Sequence, residues 1–217
     1  MKQQIGIILS VIVALGCWTY MFCPIVPKAL PFWHMMVGAA ILLSILSFVF
    51  GWDVWKQRWQ NRIGGLKYII GQILLGIALA IILWGIFWLG DKLSQWMFPS
   101  FARAQVNSIY SIKEGFNPHT VGLLLLLLIG PAEEIFWRGY VQEKLQRSFS
   151  KTWIGAVVGI ALYTAIHIPS CNFMLIVAAG VCGVVWGGLY WWKPQWFPAL
   201  IISHALWDAA VFVCFPI

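Results

Sequence analysis

Seven apolar stretches, each about as long as a membrane-spanning helix, constrain this chain more than any other feature. A helix needs about 20 apolar residues to cross the hydrocarbon core of a bilayer. Of the 217 residues, 61% are hydrophobic and only 10% are charged. A soluble domain carries about 25% charged residues, so this composition excludes a soluble enzyme, a disordered chain and a secreted disulfide scaffold. The sequence predicts an all-α, polytopic transmembrane helical bundle with about seven spans.

Polar and basic segments separate the predicted spans, which are 5–22, 32–50, 68–89, 120–148, 152–168, 173–192 and 197–215. A basic stretch, 53–67, follows the second span. The longest polar segment, 90–119, mixes cationic and aromatic residues and is predicted to lie on the membrane surface. We expect one integral membrane domain with two parts: residues 1–119 form N-terminal spans and the interfacial segment, and residues 120–217 form a helical core.

Lys and Arg residues are divided unevenly between the two sides of the membrane that seven spans create. One side carries nine of them and the other carries four. The nine are Lys2, Lys56, Arg58, Arg62, Lys67, Lys144, Arg147, Lys151 and Lys193. Since cytoplasmic loops carry an excess of Lys and Arg, the bias predicts a cytoplasmic N-terminus. The formal net charge of +7 is then interpreted as attraction to anionic lipid rather than to nucleic acid.

Ionisable side chains lie inside apolar spans, where a charge costs about 2.5 to 3.5 kcal/mol. They are Glu133, Glu134, Arg138, His167, His204 and Asp208. Glu134 and Arg138 are four residues apart on one helix face and can pair. Glu133 is rotated by about 100° from Glu134 and has no cation within reach on its own helix, which suits a general base. A helix–helix ion pair with a hydrogen-bonded spare acid is the alternative interpretation of this cluster alone.

The fourth and fifth spans should form an antiparallel hairpin that turns near Ser150, because their connection is short. Glu133 lies 17 residues before that turn and His167 lies 17 residues after it, so the two side chains should have the same depth. In the seventh span, His204 and Asp208 are four residues apart and share a face. Together these residues predict a polar cavity inside the bilayer that admits water.

Such a cavity can support hydrolysis. A carboxylate beside an imidazole can deprotonate water for attack on a carbonyl, and a second polar pair can stabilise the resulting oxyanion. One Glu with two His also resembles a zinc site with three protein ligands. The side-chain types leave that choice open.

The same residues resemble the CPBP family, which contains the CAAX prenyl endopeptidases and bacteriocin-processing or immunity proteins. The family pattern is E-E-x-x-x-R, then F-x-x-x-H, then H-x-x-x-N or D, on three membrane helices. This chain has Glu133-Glu134-x-x-x-Arg138, Tyr163-x-x-x-His167 and His204-x-x-x-Asp208. The resemblance covers residues 120–215 and implies a multi-span α-helical intramembrane endopeptidase.

By this resemblance, Glu133 with His167 would activate water, and Glu134 with Arg138 would hold the first motif in place or contact substrate. His204 and Asp208 would form the oxyanion-stabilising pair. Asp208 stands where the prenyl endopeptidases often have Asn, and an ionised Asp cannot donate a hydrogen bond. Asp208 would therefore be protonated, orient His204 or help to hold a metal. Tyr163 replaces the usual Phe and adds a hydroxyl group that needs a partner.

The favoured mechanism uses a glutamate/histidine-activated water and no cofactor. The alternative is a zinc-dependent protease with Glu133, His167 and His204 as ligands. We expect as partners the lipid bilayer and a peptide or protein substrate, lipidated substrates included, which enters from the membrane plane or the cytoplasmic side. The expected location is the bacterial inner membrane, with multiple passes.

Two other classes of function stay open. One is a non-catalytic membrane immunity or regulatory protein of the same fold. The other is a proton-coupled transporter, since intramembrane acids and histidines also relay protons. The lack of an inverted repeat in the sequence disfavours the transporter.

Overall fold

The chain forms a bundle in which seven helices are long and apolar enough to cross a membrane. The computed structural model describes residues 2–60 and 64–217, and these ranges contain helices and no β-strand. The predicted all-α polytopic fold is therefore confirmed. Arg62, part of the predicted basic loop, lies outside the described residues.

The helices divide at the long polar connection in the middle of the sequence. The first part contains α1 (Lys2–Phe22), α2 (Phe32–Phe50), α3 (Trp52–Gln60), α4 (Leu66–Met97) and α5 (Pro99–Tyr110). The second contains α6 (Pro118–Leu124), α7 (Gly130–Glu134), α8 (Glu143–Ser148), α9 (Thr152–Ala165), α10 (Phe173–Trp192) and α11 (Phe197–Ala209). Short 3₁₀ turns occupy Ser111–Lys113, Ile168–Ser170 and Pro194–Trp196.

The fourth span is one continuous path, Pro118–Ser148, built from α6, α7 and α8. Two π-helical segments join them, Leu125–Ile129 and Ile135–Gln142. Pro131 lies between these segments; it lacks an N–H group and crowds the carbonyl four residues earlier. A widened turn, Leu125–Ile129, lies just before Pro131 and the acids. The extra residue of a π-helical turn rotates the side chains that follow it by about 100° around the helix axis.

One predicted span boundary is wrong. The third span was expected to end at residue 89, but α4 continues to Met97 before Pro99 begins α5. The polar segment 90–119 was predicted to lie on the membrane surface, yet Asp91 within it is only 9% exposed, because tertiary packing covers this end of α4. The fifth span, predicted as 152–168, corresponds to the apolar helical stretch Thr152–Ser170, in which α9 ends at Ala165 and a 3₁₀ turn that contains Pro169 follows.

The two ends of the bundle differ in chemical character. The basic end contains the 148–152 turn between α8 and α9, as the hairpin prediction required. Here Lys144 pairs with Asp53 at 2.5 Å, which ties α8 to α3. At the opposite end, which we call the α5 end, the Asn172 side chain donates to the Gln105 carbonyl at 2.9 Å. That bond ties α5 to the start of α10.

Close helix packing positions the buried acids. A Cβ atom at Gly130 would lie 2.8 Å from the Cα atom of Ala205, so α7 and α11 approach each other nearly backbone to backbone. This contact sets the acids of α7 opposite His204. In α10, a Cβ at Gly187 would lie 2.7 Å from Ile160, which agrees with the close packing expected of a glycine-rich membrane helix.

Candidate active site

The structure buries every ionisable residue that the sequence placed inside the spans. None is more than 9% exposed; they are Glu133, Glu134, Arg138, His167, His204 and Asp208. One cavity of about 450 Å³ is lined by Glu133, Tyr163, His167, His204 and Asp208. Its remaining lining is mostly apolar. The three sequence motifs therefore meet at one space between helices.

Glu134 connects two helices through a single carboxylate oxygen. Its Oε1 atom accepts a hydrogen bond from Arg138 at 2.8 Å and another from Nδ1 of His204 at 2.8 Å. The pairing with Arg138 agrees with the sequence prediction. The contact with His204 extends it, because Glu134 also fixes the position of the imidazole of α11. Among the described residues, the Oε2 atom of Glu134 has no hydrogen-bond partner.

Aromatic rings enclose this ion pair. The guanidinium of Arg138 lies 4.4 Å from the Tyr163 ring centroid. The His204 ring stacks on Trp186, with centroids 3.9 Å apart and an interplanar angle of 18°. Trp186 in turn donates to Ser203 at 3.2 Å. Cation–π attraction and ring stacking restrict both side chains. Sequence reasoning missed Trp186, since nothing distinguishes it from the other tryptophans of the chain.

The second ring nitrogen of His204 faces the cavity. Its Nε2 atom is 3.5 Å from Oδ2 of Asp208 and 4.0 Å from Oε2 of Glu133. Because Nδ1 is directed at the Glu134 carboxylate, which accepts, Nδ1 carries a proton. The imidazole that approaches Glu133 is thus His204, whereas the sequence paired Glu133 with His167.

His167 borders the same cavity with both ring nitrogens engaged. Its Nδ1 atom lies 2.9 Å from the Tyr163 carbonyl, which can only accept, so Nδ1 carries the proton. The Nε2 atom accepts from the indole N–H of Trp18 at 3.2 Å. Trp18 lies on α1 and is far in sequence from all three motifs. No sequence pattern indicated that it would contact His167.

Tyr163 links the two predicted water-activating residues. Its hydroxyl donates to Oε2 of Glu133 at 3.4 Å, and its carbonyl accepts from His167. The hydroxyl that replaces the usual Phe thus has a partner in Glu133. Within the described part of the chain, no hydrogen bond or ion pair joins Glu133 directly to His167, and their joint action on water stays a prediction.

The donor set predicted for zinc does not fit this arrangement. Trp18 occupies the only lone pair that neutral His167 could offer a metal, so His167 is not available as a ligand. Across residues 2–60 and 64–217, no group of three or more His, Cys, Asp or Glu side chains is arranged to hold a metal ion. We therefore derive no chemical step through a metal.

The C-terminal part of the chain matches a known protein family. The sequence model of the family described as "Type II CAAX prenyl endopeptidase Rce1-like" matches residues 115–210, which contain all three motifs. The resemblance to CPBP-family proteases is confirmed by this match. No curated protein and no solved structure matches the chain. Together with the seven apolar helices, the family supports a multi-pass integral membrane protein.

Proposed function

We propose that this chain, which over residues 115–210 matches the family model described as type II CAAX prenyl endopeptidase Rce1-like, is an intramembrane endopeptidase that hydrolyses a peptide bond with activated water. One observation carries the proposal. Three buried carboxylates, Glu133, Glu134 and Asp208, surround His204 beside a mostly apolar cavity. Burying acids in this way opposes folding and insertion, which favours a chemical role for them.

Glu133 is the general base of the proposed reaction. Its carboxylate accepts a proton from a water molecule in the cavity while the water oxygen adds to the carbonyl carbon of the peptide bond. The carbon–nitrogen bond then breaks, and the leaving nitrogen takes the proton from Glu133. The Tyr163 hydroxyl, 3.4 Å from Oε2 of Glu133, orients the carboxylate. The apolar lining strengthens these electrostatic interactions, because the local dielectric is low.

His204 stabilises the oxyanion in this mechanism. Glu134 holds one ring nitrogen and Trp186 supports the ring face, so the other nitrogen, Nε2, is aimed at the cavity. In the proposed reaction His204 carries protons on both ring nitrogens, beside the carboxylates of Glu133, Glu134 and Asp208, so Nε2 donates to the oxyanion. A preorganised donor of this kind lowers the free energy of the transition state. Asp208, 3.5 Å from Nε2, acts through His204 by orienting it. His167 can help Glu133 to activate water only after its Nε2 atom leaves Trp18.

The substrate is proposed to be a peptide segment that enters from the membrane plane, with lipidated peptides included. The apolar cavity suits such segments, and α5 contributes Phe101, Ala102, Val106 and Ile109 to its lining. The proposed location is the bacterial inner membrane.

The test is cleavage of a defined peptide library by the purified protein in lipid nanodiscs, followed by mass spectrometry. We expect Glu133→Gln and His204→Ala to lose cleavage and Glu114→Gln, a charge-neutralising change at an exposed loop residue, to retain it. Unchanged cleavage by Glu133→Gln would exclude the assigned base. If cells that carry the Glu133→Gln variant also keep full function of the protein, the result would favour the non-catalytic immunity or regulatory role over the protease.

The cofactor-free mechanism has its own measurement. Elemental analysis of active protein should find no stoichiometric zinc, and activity should survive dialysis against a chelator. Loss of activity with the chelator, and its return on addition of zinc, would support the metalloprotease instead.

A further inference from the structure

Three residues of the cavity lining outside the three motifs carry polar atoms without a partner. Among the described residues, Nε1 of Trp33, Nε1 of Trp207 and Oδ1 of Asp91 are buried and have no hydrogen-bond partner, and all three residues line the cavity. Buried polar groups are nearly always hydrogen-bonded, and leaving one unpaired costs about 1 to 3 kcal/mol. Two unpaired donors and one unpaired acceptor on lining residues therefore indicate a polar ligand.

Asp91 is the most demanding of the three. It is 9% exposed, and its Oδ2 atom accepts from Gln95, one turn further along α4. No described Lys or Arg forms an ion pair with it. A buried carboxylate with one neutral partner is stabilised most by a cation that reaches its free oxygen.

Helix geometry places Asp91 one turn beyond a residue that packs on Trp207 of α11. Phe87 is four residues earlier on the same face of α4, and its ring packs on Trp207 with centroids 4.6 Å apart. Trp207 immediately precedes Asp208 on α11. Asp91 thus lies about one helical turn, roughly 5.4 Å along α4, beyond Phe87, whose ring contacts Trp207.

Tyr110 on α5 lies on the other side of Asp91. Burial raises the pKa of the Tyr110 hydroxyl, and the nearby Asp91 carboxylate adds to that rise. Tyr110 also lines the cavity, but its hydroxyl accepts from the Ile217 N–H at 3.0 Å. Asp91 of α4 therefore has Tyr110 of α5 nearby, and its Oδ1 atom has no hydrogen-bond partner among the described residues.

We propose that Asp91 is a specificity-determining residue that binds the positively charged side chain of a Lys or Arg in the peptide substrate, while Trp33 and Trp207 donate hydrogen bonds to carbonyl oxygens of the same peptide. This assignment rests on the proposed endopeptidase function. It gives the substrate a defined chemistry: an apolar segment with one basic residue in the part that the cavity binds. The chain leaves Asp91 unpaired because the substrate supplies the partner.

Binding tests the proposal without relying on turnover. Fluorescently labelled apolar nonapeptides, each with a single Lys at one position, are titrated into the Glu133→Gln protein in nanodiscs. Matched peptides carry norleucine instead, which keeps the length and removes the charge. We expect one register in which the Lys peptide binds at least about tenfold more tightly. Addition of Asp91→Asn should abolish that difference, whereas addition of Glu114→Gln should preserve it.

Two further variants separate the roles. Asp91→Glu keeps the charge and should keep a preference for Lys, which distinguishes charge recognition from loss of folding. Trp33→Phe and Trp207→Phe remove only the N–H donors and should weaken the Lys and norleucine peptides equally. Equal binding of the two peptides to the Asp91-containing protein, or a Lys preference that survives Asp91→Asn, would overturn the proposal.

Cleavage by the protein with Glu133 intact then separates this proposal from the function on which it rests. Cleavage without any preference for a basic residue contradicts the role of Asp91 and leaves the endopeptidase standing. A Lys preference in binding with no cleavage contradicts the endopeptidase and leaves the cation site standing.

Discussion

Single side chains decide how the two histidines can act. His204 presents Nε2 to the cavity, because Glu134 holds its other nitrogen. His167 has its Nε2 lone pair occupied by Trp18. Nε2 of His204 therefore already faces Glu133 and Asp208. Nε2 of His167 can bind water only after its hydrogen bond to Trp18 breaks.

Replacement of Trp18 by Phe tests this difference. The change removes the N–H donor and keeps most of the ring volume, so His167 becomes free to bind water. We expect kcat to rise by up to about fivefold, which corresponds to release of a hydrogen bond worth about 1 kcal/mol. The measurement is steady-state cleavage at saturating peptide. A folded Trp18→Phe protein that loses as much activity as His167→Ala would show that the Trp18 bond supports catalysis instead.

Glu134→Gln tests the carboxylate that serves two partners. Arg138 is 2% exposed, and a neutral amide would leave its buried charge uncompensated. We expect a loss of about 3 kcal/mol in the free energy of unfolding, with cleavage reduced because His204 is no longer fixed. Thermal unfolding in detergent and peptide cleavage measure the two effects. Glu114→Gln is the control for removal of an exposed charge, and an unchanged unfolding midpoint in Glu134→Gln would contradict the structural role.

Some residue contacts could be predicted from the sequence and others could not. Glu134 and Arg138 pair as their helical spacing predicts, since both partners lie on one helix. The Trp18–His167 bond joins residues 149 positions apart, and no local pattern encodes it. Asp91 was misjudged because Gly90-Asp91-Lys92 has the composition of a loop, and only the packing of α5 and the other cavity helices shows that it is buried.

Among the helices, the approach of α7 to α11 places the acids beside His204. Gly130→Ala would set a Cβ atom 2.8 Å from the Ala205 backbone and force the two helices apart. We expect a loss of about 1 to 3 kcal/mol in unfolding free energy and a strong fall in cleavage. Gly188→Ala on α10 is the matched control, because nothing lies within 4 Å of its added methyl group. Equal behaviour of the two variants would show that this helix contact is not critical.

The connection of α3 to α8 makes stability depend on pH. Partial burial opposes ionisation of Asp53, but its hydrogen bond to Lys144 and the lysine charge outweigh that effect and lower its pKa. A lowered folded-state pKa adds stability above the unfolded-state value of about 3.9, and this contribution is lost as pH falls through the folded-state pKa.

Asp53→Asn measures that contribution. We expect the variant to melt below the unsubstituted protein at pH 7, because buried Lys144 loses its charged partner, and the two melting curves to converge below about pH 4. Thermal unfolding across pH gives the comparison. A gap between the curves that is constant with pH would contradict an electrostatic origin.

Helix boundaries were predictable where hydropathy alone sets them. The seven apolar stretches of the sequence correspond to seven apolar helical segments among the described residues. The turn between α8 and α9 lies near Ser150, where the predicted hairpin turns. The π-helical segments around Pro131 were not predictable, because proline allows both a kink and a widened turn, and contacts with neighbouring helices decide between them.

In the molecule as a whole, the basic loops and the cavity lie towards opposite ends of the helical bundle. Of the basic residues predicted to be cytoplasmic, those that the structure describes lie at the basic end, whereas the cavity lining includes α5, the last turns of α4 and the start of α10. With a cytoplasmic N-terminus, as the charge bias predicts, these cavity-lining segments lie towards the outer side of the membrane. The route of the substrate, from the membrane plane or from the cytoplasmic side, stays a prediction.

Thiol labelling tests that orientation. Cys171 is exposed in the turn between α9 and α10, at the α5 end. In a variant that retains only Cys171, a membrane-impermeant maleimide should react in intact spheroplasts. In a cysteine-free variant with Lys151→Cys, at the basic end, the reagent should react only after permeabilisation. The reverse pattern would invert the predicted topology and place the cavity towards the cytoplasm.

The cavity is lined by residues from both halves of the chain, and on the proposed function this has a consequence for how related proteases would diversify. Trp18 and Trp33 come from the first two helices, outside the segment that matches the family model. A chimaera that kept residues 115–210 and took those helices from a relative would retain the proposed reacting groups yet acquire a different lining. Exchange of the first two helices would then change the peptide preference, while the proposed hydrolytic chemistry is kept.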